Sequence, residues 1–229
     1  GDLTNIPLIR YIAQLKKPLI ISTGGAAFAD VQRAMDAITP LHSNVCLLQC
    51  TAAYPCAYEE LNLRVISKYR ELFPSQVIGL SAHDDGIAMP AVAYTLGARI
   101  IEKHFTLARS MKGTDHAFSL DHSGLEAMIR DLKRTRSALG DGEKRLSASE
   151  KKPIEKMSKK LVASRDLPTG HILGKDDLAI KSPGDGLAPY HLDMILGRTL
   201  ARGLRRDEAL VMDCLVTTDG TVATLRKVA

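Results

Sequence analysis

Two histidines, His83 and His104, each stand at the end of a short apolar run that reads as a β-strand. Neighbouring strands lie about 4.8 Å apart, so both imidazoles could reach one ion. Two carboxylates, Glu102 and Asp115, lie close by in the sequence. Histidines with carboxylates suit a divalent metal that acts as a Lewis acid. A single histidine at a strand end is more often a hydrogen-bonded structural residue, and that alternative stays open here.

Small hydroxyl residues beside glycines form a second candidate group. Ser22 precedes Gly24 and Gly25 at the end of the first apolar run, and Ser81 ends the third run. Hydroxyl donors next to helix N-termini favour an anion such as phosphate. Because serine and threonine also cap helices, a plain capping role is the alternative.

The elements that must position these residues follow a regular order up to about residue 140. Short apolar runs at 18–22, 45–50, 77–81 and 99–104 are each followed by a helical pattern, and residues 3–15 read as a further helix. Short strands that are apolar nearly throughout are typical of parallel strands buried on both faces. The order predicts four βα units of an α/β fold, with polar sites at the carboxyl ends of the strands.

Apolar residues at helical spacing predict the buried faces of two of these helices. The two stripes are Phe28, Val31, Ala34, Met35 and Ile38 in one helix, and Leu125, Met128, Ile129, Leu132 and Leu139 in the other.

Composition excludes several classes of protein. The chain has 229 residues, 45% of them hydrophobic and 25% charged, which is unlike disordered, collagenous or disulfide-scaffold proteins. No apolar run approaches the roughly 20 residues of a membrane span, and no signal peptide is recognisable, so we expect no membrane association. Four cysteines without a Cys-x-x-Cys pair predict buried thiols and a cytoplasmic location.

The net charge of +5 is concentrated in one segment. Residues 143–165 contain eight basic and three acidic residues, and the rest of the chain is balanced at 23 of each. The segment has no aromatic residue for base stacking, and its acidic residues are interleaved, so we expect a solvated linker and no nucleic-acid binding. Beyond it, short apolar segments separated by turn signals predict a small, β-rich domain. A weak internal echo there pairs Leu167 with Leu204 and Leu173 with Leu210.

Several ordered blocks of sequence resemble the sialic acid synthase family. The blocks are Leu-Gln-Cys-Thr-Ala-Ala-Tyr-Pro at 48–55, Ile-Gly-Leu-Ser-Ala-His at 78–83, Glu-Lys-His-Phe-Thr-Leu at 102–107 and Lys-Gly-Thr-Asp-His-Ala-Phe-Ser-Leu at 112–120. Residues 160–216 are similar to the antifreeze-like (SAF) domain of these synthases. The resemblance implies the C-terminal half of a (β/α)8 TIM barrel followed by a small β-rich SAF domain of the β-clip type. We therefore expect a partial barrel domain over 1–142, a basic linker over 143–159, a SAF domain over 160–216 and a tail over 217–229.

The resemblance also implies an activity. Members condense phosphoenolpyruvate with N-acetylmannosamine or a related N-acyl hexose, giving a nine-carbon 2-keto sugar acid and phosphate. They use a divalent metal, typically Mn2+ with Mg2+ or Co2+ as alternatives, and work as domain-swapped homodimers. Carried over by position, the metal ligands are His83 and His104, the phosphate-binding serines are Ser22 and Ser81, the residues that meet the acceptor sugar are Tyr54 and Asp115, and the polar groups at the reaction centre are Glu102 and Asp2. We expect Glu102, Asp115 and Asp2 to be the catalytic residues.

The chain departs from the family pattern at several positions. Ser182 stands where many bacterial members have an arginine that meets the sugar N-acyl group, and Ala52 stands where some have a polar residue that contacts the sugar. Ala82 replaces an aspartate or glycine of many members. The identity of the acceptor sugar is therefore open. The first four barrel strands are not found before Gly1, so we expect this to be the C-terminal portion of a synthase, inactive by itself.

Two other classes of function remain as alternatives. Another phosphoenolpyruvate-dependent barrel synthase or an aldolase would share the chemistry at the strand ends, but we would not expect it to carry a SAF domain. A non-catalytic protein that binds carbohydrate through its SAF domain is the second alternative.

Overall fold

The chain forms two compact units in a computed structural model that describes residues 1–216. The first unit is Gly1–Glu143 and the second begins at Lys144. The predicted tail at 217–229 lies outside the described residues. A bilayer-spanning helix is absent from residues 1–216, where the longest helix has 17 residues and carries charged side chains along its length.

The first unit alternates helices with parallel strands. In chain order, its elements are α1 (Ile6–Gln14), β1 (Leu19–Ser22), α2 (Phe28–Ile38), β2 (Val45–Cys50), α3 (Val65–Leu72), β3 (Val77–Ala82), α4 (Ala88–Leu96), β4 (Ile100–Lys103) and α5 (His122–Ala138). The four strands form one sheet in the order β1-β2-β3-β4, and every pair is parallel. This is the α/β half-barrel that the sequence predicts.

The expectation that all four strands are buried on both faces is wrong for the two outer strands. β2 is buried throughout, and β3 is buried from its second residue on. Partly buried and exposed residues alternate along β1, where Ile20 is 60% exposed. No residue of β4 is fully buried. β1 and β4 are the edges of the four-stranded sheet, so each has a neighbouring strand on one side only among the described residues.

The two predicted helix stripes are buried to different extents. In α2, Val31, Ala34, Met35 and Ile38 are all in the core, whereas Phe28 is exposed and stacks on Phe73. In α5, Met128 alone is buried and Ile129 is exposed, as is Leu139 directly after the helix. The stripe in α5 therefore predicted the helix correctly but overstated how much of it is covered.

The second unit is a small domain of short strands, short helices and turns around one core. It contains α6 (Lys151–Met157), β5 (Lys160–Ala163), β6 (Leu178–Lys181) and α7 (Leu192–Ile195), with β5 and β6 antiparallel. Isolated bridges supply the remaining strand-like pairing, and one of them joins Leu167 to Leu204. The leucines paired by the sequence echo are buried in one core together with Leu161 and Leu215.

The predicted basic linker contains a short helix. A 3-10 turn at Ala148–Glu150 leads directly into α6, and none of the residues in these two elements is buried. Exposure of this segment agrees with the prediction that its positive charge is solvated.

All four cysteines are buried and free, as predicted. Cys46 and Cys50 lie in β2, Cys56 follows it, and Cys214 lies in the core of the second unit. Burial raises the pKa of the Cys46 thiol to about 11, so this thiol is neutral at physiological pH.

Candidate active site at the carboxyl ends of β3 and β4

Parallel register brings the two predicted metal ligands together. Ala82 at the end of β3 pairs with Lys103 at the end of β4, and His83 and His104 directly follow these two residues. His83 Nδ1 lies 3.0 Å from His104 Nε2. The structure therefore places the two imidazoles in direct contact at the carboxyl ends of β3 and β4, as expected for histidines that end neighbouring strands.

The spacing of the ring nitrogens fits two ligands of one metal ion. Two nitrogens about 2.1 Å from an ion and at right angles to each other would lie about 3 Å apart. The outer ring nitrogens also approach oxygens, with His83 Nε2 3.4 Å from Ser81 Oγ and His104 Nδ1 3.6 Å from Asp115 Oδ2. Histidine ligands usually have such a partner for the second nitrogen. The same 3.0 Å spacing suits a hydrogen bond in which one of the facing nitrogens carries a proton.

These two histidines would not complete a coordination shell by themselves. Among residues 1–216, no group of three or more histidine, cysteine, aspartate or glutamate side chains is arranged to hold an ion. An ion at His83 and His104 would therefore need further ligands, such as water or substrate oxygens.

The environment of His83 favours its neutral form. Burial lowers the pKa of His83 from its ordinary 6.5, and repulsion from His104 lowers it further, while Glu102 and Asp115 act in the opposite direction. A metal binds the neutral imidazole, so protonation competes with the ion. The burial of His83 therefore keeps its imidazole neutral to lower pH than the imidazole of an exposed histidine.

Glu102 is tied to the histidines through a serine. Ser81 Oγ donates a hydrogen bond of 2.9 Å to Glu102 Oε1 and is itself buried. Glu102 and Ser81 are paired in the sheet register, which explains why they meet. The two residues thus form a polar chain from the β4 carboxylate to His83.

An aromatic wall covers one side of the imidazoles. The Tyr54 ring centroid lies 4.3 Å from that of His83 and 5.6 Å from that of His104, and the Phe118 ring lies 5.1 Å from His104. The Cys56 amide donates to the His83 carbonyl oxygen at 2.9 Å, which fastens the loop carrying Tyr54 to the end of β3. Tyr54 itself is 55% exposed, so its hydroxyl is available to a ligand.

Ser22 and Asp2 lie elsewhere on the first unit. Both line a groove of about 370 Å3 along β1, together with apolar side chains such as Ile9 and Leu19. β2 and β3 separate β1 from β4 in the sheet. The structure therefore brings six of the eight predicted site residues together. Ser22, at the end of β1, and Asp2, in a 3-10 turn at Asp2–Thr4, line a separate groove.

Several residues around the histidines have no role predicted from the sequence. Phe118 lay inside a recognised block but had no assigned contact. Lys103 and Asp84, which directly adjoin the histidines in sequence, form a buried ion pair with 3.1 Å between Nζ and Oδ1. A lysine within a run predicted to be a buried strand was the available signal, because buried lysines are rarely unpaired. His116 accepts or donates a 2.7 Å hydrogen bond with Thr106 Oγ1.

Ser182, one of the departures from the family pattern, is engaged within its own unit. Lys159 Nζ donates to Ser182 Oγ at 2.6 Å. The hydroxyl is thus held near the end of β6 by a neighbouring lysine.

Comparisons with known proteins support the family resemblance. The model of the NeuB family matches residues 1–144, and the SAF domain model matches residues 160–216. Human N-acetylneuraminate-9-phosphate synthase is 36% identical over 221 residues, which cover 96% of this chain and 61% of that protein. The N,N'-diacetyllegionaminic acid synthase of Campylobacter jejuni is 35% identical over 213 residues, which cover 92% of this chain and 64% of that protein.

A solved structure is similar over nearly the whole chain. The spore coat polysaccharide biosynthesis protein of Bacillus subtilis has a TM-score of 0.59 and 28% identity, and the match covers 95% of this chain and 66% of that one. The chain spans about three-fifths of the length of the curated relatives it matches. On the family match over residues 1–144 and the SAF match over residues 160–216, the chain belongs to the NeuB family of sialic acid synthases.

Proposed function

We propose that the protein containing this chain is a sugar-acid synthase that condenses phosphoenolpyruvate with N-acetylmannosamine or a related N-acyl hexose. The products are a nine-carbon 2-keto sugar acid and phosphate, and one water is consumed. The observation that carries the proposal is the pair of facing imidazole nitrogens, 3.0 Å apart, beside Glu102 at the carboxyl ends of parallel strands. The synthase relatives support the class of product.

His83 and His104 would hold a divalent ion, Mn2+ in this proposal. When bound, such an ion supplies Lewis acidity for a carbonyl oxygen and its developing charge. Ser81 holds the Glu102 carboxylate in place through its hydroxyl proton, and Asp115 attracts the outer N–H of His104. Glu102 and Asp115 are then the groups placed to accept or return a proton at the sugar.

The remaining side chains would bind and orient the substrates. The Tyr54 and Phe118 rings shield one side of the imidazoles from water, and the exposed Tyr54 hydroxyl would donate to the acceptor sugar. Ser22 would donate to the phosphate, and Asp2 would join the reaction centre in the complete barrel. Because Ser22 and Asp2 lie along the outer strand β1, their part in the reaction depends on barrel elements next to that strand.

We further propose a domain-swapped homodimer in the cytoplasm. The SAF match over residues 160–216 supports the dimer by family resemblance, and the four buried, free thiols suit a reducing compartment. The SAF match also argues against an aldolase or a different phosphoenolpyruvate-dependent synthase, which we would not expect to carry this domain.

The test is a phosphate-release assay with the full-length product of the gene that contains this sequence. Phosphoenolpyruvate is supplied with Mn2+ and, in turn, with several N-acyl hexoses, and the sugar acid is identified by mass spectrometry. We expect phosphate and a nine-carbon acid with at least one acceptor, and no metal-dependent turnover by His83→Ala. No product with any N-acyl hexose, or unchanged turnover by His83→Ala, would refute the proposal.

A further inference from the structure

Behind the two histidines, a buried ion pair joins the same two strand ends. Lys103 Nζ lies 3.1 Å from Asp84 Oδ1 and also donates to the main-chain carbonyl oxygen of Asp84. The side chains of the lysine and the aspartate are 3% and 0% exposed. The two charges are withdrawn from solvent and compensate each other.

The ion pair and the imidazoles lie on opposite faces of the sheet edge. Lys103 immediately precedes His104, and Asp84 immediately follows His83. Within β4, the neighbours Glu102 and Lys103 point to opposite faces. Glu102 bonds to Ser81 beside His83, so Lys103 and its partner Asp84 lie on the other side. The lysine therefore spans from one histidine-bearing strand end to the other, behind both imidazoles.

Stability alone explains this pair poorly. Buried ions lose their hydration, and neutral groups of similar volume often stabilise a core equally well. Asp84 Oδ2 is also buried without a hydrogen-bond partner among residues 1–216, which is a further cost. What the pair supplies is a fixed position of one strand end relative to the other. Lys103 Nζ donates to both the carboxylate and the main-chain carbonyl oxygen of Asp84, the residue that follows His83.

We propose that Lys103 and Asp84 are positioning residues that hold the rings of His83 and His104 at the spacing required by a shared ion. The ammonium fixes the backbone after His83 relative to the backbone before His104, and so limits how far the rings can separate. The consequence for the ion rests on the proposed function, whereas the consequence for the ring contact does not.

The test uses Asp84→Asn, which keeps the shape of the side chain and removes its charge. Asp85→Asn is the matched control. Asp85 is the next residue in the same loop, and it forms an exposed ion pair with Arg109. If Asp84→Asn does not fold, Asp84→Asn combined with Lys103→Met takes its place, since the double variant leaves no uncompensated charge in the interior. Folding is checked by circular dichroism and thermal unfolding.

Two readouts are measured on each folded variant. The first is the histidine-ring 15N NMR spectrum of the metal-free protein, in which the His83–His104 contact appears as a hydrogen bond between rings. The second is Mn2+ affinity, with the Co2+ absorption spectrum as a probe of ligand geometry. We expect Asp84→Asn to lose the ring contact and to weaken Mn2+ binding about 10- to 100-fold. This loss is typical when a residue that supports the metal ligands, without binding the ion itself, is removed. Asp85→Asn should match the wild type in both.

The outcomes separate this inference from the proposed function. A folded Asp84→Asn protein with an intact ring contact and unchanged Mn2+ affinity would overturn the positioning role and leave the metal site standing. A wild-type protein that binds no Mn2+, with a ring contact that still depends on Asp84, would refute the metal site and support the positioning role.

Discussion

Each of the two units contains a cluster of histidine and aspartate side chains, and the clusters differ in how their polar atoms are satisfied. In the second unit, the buried carboxylate of Asp177 accepts hydrogen bonds from Arg165 Nη2 at 2.6 Å, His171 Nε2 at 2.7 Å and the Gly174 amide at 2.9 Å. In the first unit, two imidazole nitrogens face each other, and a buried oxygen of Asp84 has no partner among the described residues.

The difference separates a structural cluster from a site that can take a ligand. The bonds to Asp177 join the end of β5 to the loop that precedes β6, so their effect is to hold that loop. Both oxygens of that carboxylate already accept hydrogen bonds from within the second unit, as is typical of a structural cluster. At His83 and His104, the facing nitrogens could bind an ion without the loss of any contact except the one between them. The same residue types therefore differ in which of their polar atoms are already satisfied by partners.

The largest expected effect contrasts one histidine from each cluster. His104→Ala should weaken Mn2+ binding at least about 100-fold. Loss of a residue that only supports a metal ligand already weakens metal binding about 10- to 100-fold, and loss of a ligand should cost more. His171→Ala should leave Mn2+ binding unchanged. Titration of free Mn2+ by electron paramagnetic resonance measures both. Equal loss in the two variants would show that the clusters are not distinct in function.

The next effect concerns the stability of the second unit in acid. The hydrogen bond from His171, followed by the Gly174 amide, lowers the pKa of Asp177 from 3.8 to about 2. A lowered carboxylate pKa stabilises the fold by about 2 kcal/mol above pH 4, and this contribution is lost as the pH falls through about 2. Asp177→Asn should remove the same amount at neutral pH.

Hydrogen exchange can assign that loss to one unit. The Leu167 and Leu204 amides, each of which donates to the carbonyl oxygen of the other residue, report on the second unit. The Thr23 amide, which donates to the Leu48 carbonyl oxygen, reports on the first. We expect faster exchange at the two leucines of Asp177→Asn and no change at Thr23. Unchanged exchange at the leucines would contradict a structural role for Asp177.

The smallest expected effect tests the Tyr54 hydroxyl. Tyr54→Phe keeps the ring beside His83 and removes the hydroxyl, so Mn2+ affinity should stay within about twofold. Loss of one neutral hydrogen bond should raise the KM for the acceptor sugar about 3- to 10-fold. Tyr190→Phe, at an 82% exposed tyrosine of the second unit, is the control and should change neither value. An unchanged KM in Tyr54→Phe would remove Tyr54 from the sugar site.

The strands and helices of the first unit were predictable because their signals are local. The apolar run at 45–50 predicted β2 at its observed bounds, and each of the other three runs overlaps an observed strand with ends that differ by one residue at most. Burial was less predictable. Ile20 and Ile129 are apolar residues in predicted buried faces, yet both are exposed, since their environment depends on which elements pack over β1 and α5.

The candidate site was predictable to the extent that register determines it. Histidines at the ends of neighbouring parallel strands must lie close together, and the structure has them in contact. The partners that distinguish the site were not predictable in this way. Phe118 reaches His104 from a loop, and the contact depends on the path of the chain between them.

The sequence by itself determined the order of strands and helices, the parallel sheet and the strand ends on which His83 and His104 stand, because periodicity and turn residues act over a few neighbouring positions. Only the tertiary structure decided that their nitrogens face each other at 3.0 Å and that Ser81 donates to Glu102. It also decided that Lys103 donates to the main-chain carbonyl oxygen of Asp84. These contacts join residues about 20 positions apart, so their distances depend on the packing of whole strands and loops.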